Sequence, residues 1–372
     1  MASPNTLLGY LTQENAVPET KESSTVDIKF SSKNTTHHSY PVPSAIKRWK
    51  EFKIDTIRRL FGREVDNVLM RQYDALKTYP EPPKNSQPID HETKLTDFFK
   101  ESTRLVVSEG LRISAKPLIS QDVRMELGKE GKLVYGPTFK PDWAGLSDIQ
   151  STNNILPGDT KVSWKWKSKD LGKILAAGKV NRPVNKLWPI RQLLHYCICS
   201  HARYGYIITD EELVVMRVGI KENSQRRGSE EELRACVHDR ALVELKAIPR
   251  GVSGGENLTV NLALWALHIL AANNGLLDWE YGKLAEEKVV APDPKRILRE
   301  ENLSFTQESS VHDIDERRSH RSDTEEDILP TLSFDNRSRA ALSFNSNTSQ
   351  ASDKGSKRKR SASRLRPRKK TR

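Results

Sequence analysis

Polar and apolar side chains alternate along GDTKVSWKWK. Asp159, Lys161, Ser163, Lys165 and Lys167 fall on one side; Thr160, Val162, Trp164 and Trp166 fall on the other. A two-residue period is that of a strand, so this stretch is predicted to extend through Lys167 with the two tryptophans packed under helices. The same period predicts strands at 203–209 and 213–218, joined as a hairpin by the exposed acidic turn Asp210-Glu211-Glu212, and a further strand at 241–248. A short strand is expected near 133–135. Helical spacing is read at 44–79, where Ser44 caps a helix carrying Ile46, Trp49, Ile57, Leu60 and Phe61, and Gly62 separates it from a second with Val65, Val68 and Leu69. One helix is expected over 94–113, one from Pro189 to His201, and one over 258–274 with Asn257 as cap and Gly275 as stop. Residues 170–185 read as a loop or short helix beside a groove.

This order of helix, strands, helix, hairpin and final helix predicts an α/β domain at 89–290, a mixed sheet with helices on both faces. Residues 44–88 read as a helical extension. Residues 1–43 and 291–372 are polar with little periodicity and are expected to be disordered.

Composition changes that picture in two places. Of 372 residues, 36% are hydrophobic and 30% charged, and the formal net charge is +12. Eleven Lys and Arg and no acid lie in 354–372, which leaves about +1 for everything before it. The basicity therefore belongs to the tail, whose KRKRSASRLRPRKK predicts nuclear import, hence a nuclear location, with contact to nucleic acid as a second use. Any nucleic-acid groove on the body must come from local arrangement. Residues 1–15 lack the basic start and apolar run of a signal peptide. The most apolar stretch, 258–277, is broken by Asn261, His268, Asn273 and Asn274, so no membrane segment is expected. Cys197, Cys199 and Cys236 give neither a disulfide framework nor, with His195 and His201, a zinc spacing. No phosphate-binding glycine loop and no nucleophile elbow is present.

The chemistry concentrates at Pro141-Asp142 and Asp159-Thr160-Lys161. Mg²⁺ takes oxygen ligands and keeps positions for water and phosphate, so Asp142 and Asp159, with the Thr160 carbonyl as a third donor, suit Mg²⁺ or Mn²⁺. Lys161 would orient an attacking water or offset charge on the phosphate. Lys165 and Lys167 are candidates for gripping the backbone, DNA in the first instance.

Pro141-Asp142 followed by Asp159-x-Lys161 resembles the PD-(D/E)xK phosphodiesterase superfamily of restriction-endonuclease-like folds. WPIRQLLHY, with Gln192 and Tyr196 one helical turn apart, is similar to the Gln-x-x-x-Tyr helix of its RecB-type exonuclease branch. The strings KPDWAG, LPGDTK and RYGYIITDEEL are also similar to those of uncharacterised fungal nuclease-like proteins, over much of residues 90–285. The resemblance implies a metal-dependent nuclease in which Gln192 and Tyr196 hold the DNA backbone or the geometry of the metal site. It also implies a helix carboxylate at that site. Glu109 is the candidate, since it falls on the apolar side of its helix, with Glu101 and Glu126 as rivals. The competing expectation is a catalytically inactive nuclear module that keeps the fold and binds nucleic acid or protein.

Overall fold

The computed structural model describes residues 5–290 except 22–35, 82, 84–87, 135–139, 150–151, 179, 181–184, 221–229, 274–278 and 280–281. The basic cluster at 354–372 and the rest of 291–372 lie outside the described residues. The described chain builds a mixed sheet from β1 (Ala45–Arg48), β2 (Val123–Leu127), β3 (Trp143–Ser147), β4 (Gly158–Thr160), β5 (Tyr204–Ile208), β6 (Glu212–Ile220) and β7 (Ala241–Pro249). Their order is β1-β7-β6-β5-β4-β3-β2. The pairs β1–β7 and β4–β5 are parallel and the others antiparallel.

Both faces are covered, and β6 shows why. Its Leu213 and Val215 join Tyr204, Tyr206 and Ile208 of β5 in one apolar cluster, while Val214, Met216, Val218 and Ile220 join Ile207 and Val243 in another. On the first face lie α1 (Leu7–Leu11), α3 (Glu64–Met70), α4 (Glu92–Glu101), α5 (Thr103–Ile119) and α9 (Val260–Ala272). α2 (Ile54–Ile57) adds Ile57 to the same cluster. On the second lie α7 (Trp188–Cys199) and Val237 of α8 (Glu230–Arg240), with α6 (Gly172–Ala177) packed against it. Every residue of α9 is buried, which explains an apolar run without a polar face. No helix among the described residues is long and apolar enough to cross a membrane.

The mixed sheet between helices, the hairpin, β7, α6, α7 and α9 follow the sequence expectation. Several segments do not. Leu7, Leu8, Tyr10 and Leu11 are core residues, so 1–43 is not a free tail where it is described. Thr6 caps their helix through a hydrogen bond from the Gly9 amide, 3.0 Å. Residues 45–48 form an edge strand rather than a helix: Ile46 pairs with Val243, and the Ser44 amide donates to the Ala241 carbonyl at 2.9 Å. The 44–88 region is therefore part of the sheet domain and not a separate helical extension. The predicted helix over 94–113 is two helices, α4 and α5, broken at Ser102, whose φ of −120° and ψ of −85° are not helical. Its hydroxyl donates to the Phe98 carbonyl at 2.7 Å, closing α4. Thr259, not Asn257, caps α9, with its hydroxyl accepting from the Leu262 amide at 3.3 Å. Leu133 and Val134 are not in a strand; Tyr135 and Gly275 lie outside the described residues.

Candidate functional site

The central strand is shorter than its alternation suggests. β4 ends at Thr160, and the Lys165 and Trp166 amides fold back onto the Val162 carbonyl at 3.0 and 3.2 Å. The cause is tertiary. Asp210 is buried, and its carboxylate accepts from the Ser163 amide at 2.7 Å and the Ser163 hydroxyl at 2.6 Å. Glu212 accepts from the Ser168 amide at 2.6 Å, and Lys167 is ion-paired with Glu211. The acidic hairpin turn, expected to be merely exposed, therefore pins the chain after Lys161. Trp166 is buried in the layer that holds α7 and Trp164 half-buried against the opposite one, so the two tryptophans pack but do not share the face that the alternation predicts.

Register places the two acids and the amine together. β4 runs parallel to β5 with Asp159 opposite Ile207, so Asp159 faces the layer that holds α7. The Lys161 amide continues the ladder to the Ile208 carbonyl at 3.0 Å, which puts Lys161 on that same face. Asp142 immediately precedes β3, which pairs with β4 through Trp143 and Gly158. Its carboxylate accepts from the Thr160 amide at 2.8 Å. The corner before it is tight: the Gly128 amide donates to the Asp142 carbonyl at 2.8 Å, and a β-carbon at Gly128 would lie 1.6 Å from the Pro141 oxygen. Only glycine allows that approach.

The electrostatics follow from burial. Asp159 is 3% exposed and Lys161 5%, and the two form an ion pair. Burial, together with the nearby Asp142 carboxylate, pushes Asp159 up to about 7 despite the Lys161 charge. The surrounding carboxylates hold Lys161 protonated against its own burial. Glu92, in the first turn of α4, lies 3.9 Å from the Lys161 amine and 3.7 Å from that of Lys165. Around two amines there are thus three carboxylates, Asp142, Asp159 and Glu92.

Gln192 and Tyr196 come in from α7. The Gln192 amide donates to the Tyr196 hydroxyl at 2.9 Å, and both side chains are buried. Burial and then the Asp159 charge raise Tyr196 above its ordinary range, so it stays a neutral donor beside the acids. Tyr40, which precedes β1, completes the group. Its ring packs on His195 at 4.8 Å between centroids, and burial and then the Asp159 charge push its hydroxyl up to about 12.

The structure therefore brings together Asp142, Asp159, Lys161, Gln192 and Tyr196, and sets Lys165 nearby across Glu92. Glu109 is elsewhere: Arg112 donates to both of its oxygens at 2.8 and 2.9 Å, and the Lys77 amide donates at 3.1 Å. Of the rivals, Glu126 accepts from Arg104 at 3.0 Å and Glu101 is exposed at the end of α4. The helix carboxylate that reaches the site is Glu92, the first residue of α4, which lies before the start of the helix predicted over 94–113. Tyr40 had no sequence signal, because its segment shows no periodicity.

The carboxyl groups of Asp142 and Asp159 are hard-oxygen donors. Among the described residues no group of three or more His, Cys, Asp or Glu is placed so that it could hold a metal ion. Mg²⁺ does not require one, since it is commonly held by one or two carboxylates with water and substrate phosphate filling the remainder. Comparison of the chain with protein-family models, with curated proteins and with solved structures finds no match.

Proposed function

We propose that this chain is a metal-dependent nuclease of the restriction-endonuclease-like kind that hydrolyses phosphodiester bonds, with DNA as substrate. The observation that carries the reading is the convergence of Asp142 and Asp159, from neighbouring strands, on the Lys161 amine, with the Gln192–Tyr196 pair of α7 beside them. Asp142 and Asp159 would hold Mg²⁺ or Mn²⁺, which supplies positive charge against the phosphate oxygens. Lys161 donates to the attacking water or to a non-bridging oxygen, where a buried ammonium counts for more than it would in water. Tyr196, held by Gln192, donates to the phosphate backbone and excludes water. Lys165 extends the positive edge of the groove. Lys167 is less suited, because Glu211 already engages it.

The test is direct. Purified protein is expected to cut DNA with Mg²⁺ or Mn²⁺, and Asp142→Asn is expected to lose both cutting and Mn²⁺ binding by electron paramagnetic resonance. If the wild-type protein binds no Mn²⁺ and cuts neither strand form, the reading falls.

A second reading has one observation in its favour: the near-complete burial of Asp159 and Lys161. A closed dyad fits a nuclease-like nuclear module that binds nucleic acid or protein without cutting, and absent cutting with intact DNA binding would select it.

Glu92 separates charge effects from chemistry. It stands between Lys161 and Lys165, so Glu92→Gln is expected to tighten DNA binding several-fold and steepen its salt dependence, as Lys165 becomes available to phosphate. Stability should move by less than about 1 kcal/mol, since half-exposed ion pairs contribute little. Fluorescence anisotropy across a salt series checks this; weaker binding in the variant would make Glu92 a substrate-side residue instead.

A further inference from the structure

Charge is unevenly placed along the chain even before its basic tail. Residues 1–353 carry about +1, yet 161–186 holds eight Lys and Arg against one acid, Asp170, a net +7. The rest of 1–353 is therefore about −6. Part of the excess is met inside the protein. Beyond Lys161, Lys165 lies 3.7 Å from Glu92, Lys167 is ion-paired with Glu211, and Lys186 meets Asp170 at 2.7 Å. Lys173 of α6 is exposed and has no ion pair among the described residues.

The fold brings a second basic segment to α6. β1 is an edge strand, and Cα atoms of α6 and β1 approach within 8 Å. The two share an apolar underside: Ile46 of β1 and Leu171 are buried in one cluster, and Ile174 and Leu175 of α6 pack against it. Residues two apart share a strand face, so Arg48 leaves β1 on the side of Ile46, where α6 lies. Arg48 is exposed, as are Lys47 and Lys50, and none of the three has an ion pair among the described residues. Charged side chains do blunt a sheet edge against further pairing. That does not account for Lys173, which stands on a helix.

This border is joined to the Asp159–Lys161 pair by the chain itself. From β4 to β1 there are four strand steps, roughly 20 Å at about 4.8 Å each. Residues 161–177 connect the two, from Lys161 past the half-buried Lys165 and Lys167 to the exposed Lys169 and Lys173. A duplex rises about 3.4 Å per base pair, so roughly six base pairs match the span.

We propose that the border formed by Arg48 of β1 and Lys173 of α6, with Lys47, Lys50 and Lys169 beside them, docks the phosphate backbone of double-stranded DNA. Charge complementarity selects that occupant: solvated cations without partners, on a body otherwise acidic, draw a polyanion to this border and away from the remaining surface. None of the exposed large apolar residues lies on β1 or α6, so the border offers charge and no apolar groove. That the same duplex continues to Lys161 rests on the nuclease reading; docking at the border does not.

Fluorescence anisotropy of a labelled duplex several times that length, titrated with the full chain across a salt series, tests the surface. The basic tail is present in every protein compared, so its contribution cancels. Arg48→Ala combined with Lys173→Ala removes two exposed cations and no packing. Binding is expected to weaken several-fold, and the slope of log K against log salt to flatten by about 1.8, from two phosphates at about 0.9 each. Lys116→Ala combined with Arg124→Ala is the matched control, since Lys116 is 69% exposed, Arg124 is exposed, and both stand by β2 at the other edge of the sheet. Equal loss in the two double variants would reduce the effect to net charge and overturn the surface, as would no loss in the first. A footprint reads the contact itself. Acetylation of Lys173 by limiting acetic anhydride, followed by mass spectrometry, is expected to slow several-fold under saturating duplex while that of Lys116 does not; an unprotected Lys173 overturns the proposal. Cutting separates the surface from the site. The border variant is expected to raise KM and leave kcat unchanged, and a lower kcat at unchanged KM would overturn a docking role. Weaker binding by the border variant with no cutting by any of the proteins leaves the surface standing and removes the nuclease reading.

Discussion

Lys161→Ala is expected to abolish DNA cutting, by a factor of about 10² to 10³ or more if the ammonium stabilises developing charge in a water-poor site. It should also destabilise the fold in a pH-dependent way that a surface lysine would not. In the wild type the amine is the counter-ion of a carboxylate that is 3% exposed. Removing one partner of a buried pair typically costs about 3 to 5 kcal/mol, because the remaining charge has no solvent. Asp159 can escape by taking up a proton. Its carboxyl already sits at about 7, against an ordinary 3.8, and without the amine it rises further. A group whose folded value lies above its unfolded value binds protons more tightly in the folded state, so stability falls as pH rises through that window. The loss in Lys161→Ala should therefore be largest at pH 8 and shrink at pH 5.5. Urea denaturation at the two pH values measures it. A pH-independent loss would mean that Lys161 does not neutralise Asp159, and undiminished cutting would remove the proposed chemistry. Lys161→Arg should not rescue cutting, because a planar guanidinium does not fit a space shaped for an ammonium.

What the sequence made legible was the part governed by local pattern. The hairpin β5–β6, β7, α6 and α7 follow from periodicity and from Pro189 in the first helical turn. Strand period puts Asp159 and Lys161 on one face, and helix period does the same for Gln192 and Tyr196; that these meet with Asp142 was what the resemblance implied, not what either period fixes. What failed depended on partners distant in the chain. Ala45–Arg48 has one buried residue, Ile46, too few to tell a strand from a helix; its identity comes from β7, with which it pairs. The alternation of 159–167 suits a strand, yet Asp210 draws Ser163 out of it. Glu109 is on a buried helical face, but that face meets Arg112 and Lys77 and not the site. Glu92 was passed over because the helix was read from Lys94, whereas α4 starts at Glu92. Tyr40 lies in a segment without periodicity, and only the Arg191 anchor gives it a position.

Gly158→Ala is expected to produce a large loss from a single added methyl, and Tyr206→Leu should rescue it. A β-carbon at Gly158 would stand 2.3, 2.5 and 2.7 Å from three carbons of the Tyr206 ring, closer than atoms in a packed interior allow. Gly158 and Tyr206 are register partners across the parallel β4–β5 pair, so the ring lies across the glycine and leaves no other space. Both elements are buried, and overpacking of this kind costs about 1 to 3 kcal/mol, sometimes more. The strain is relieved either by moving the ring or by moving β4. The second route displaces Asp159, the next residue, so cutting should fall by tenfold or more along with stability. Tyr206→Leu alone opens a cavity and loses stability for the opposite reason. Among the described residues its hydroxyl has no hydrogen-bond partner, so no polar contact with them is lost with the ring. Combined, the methyl occupies space that the ring vacates, and the double variant should be more stable than the sum of the single losses by 1 kcal/mol or more, roughly the coupling seen between residues in contact. Thermal denaturation of the four proteins measures that coupling, and cutting rates show whether Asp159 returns to position. Additive losses would mean that the strand shifts rather than the ring, and that the spacing of Asp159 from Asp142 is set by β3 rather than by β5.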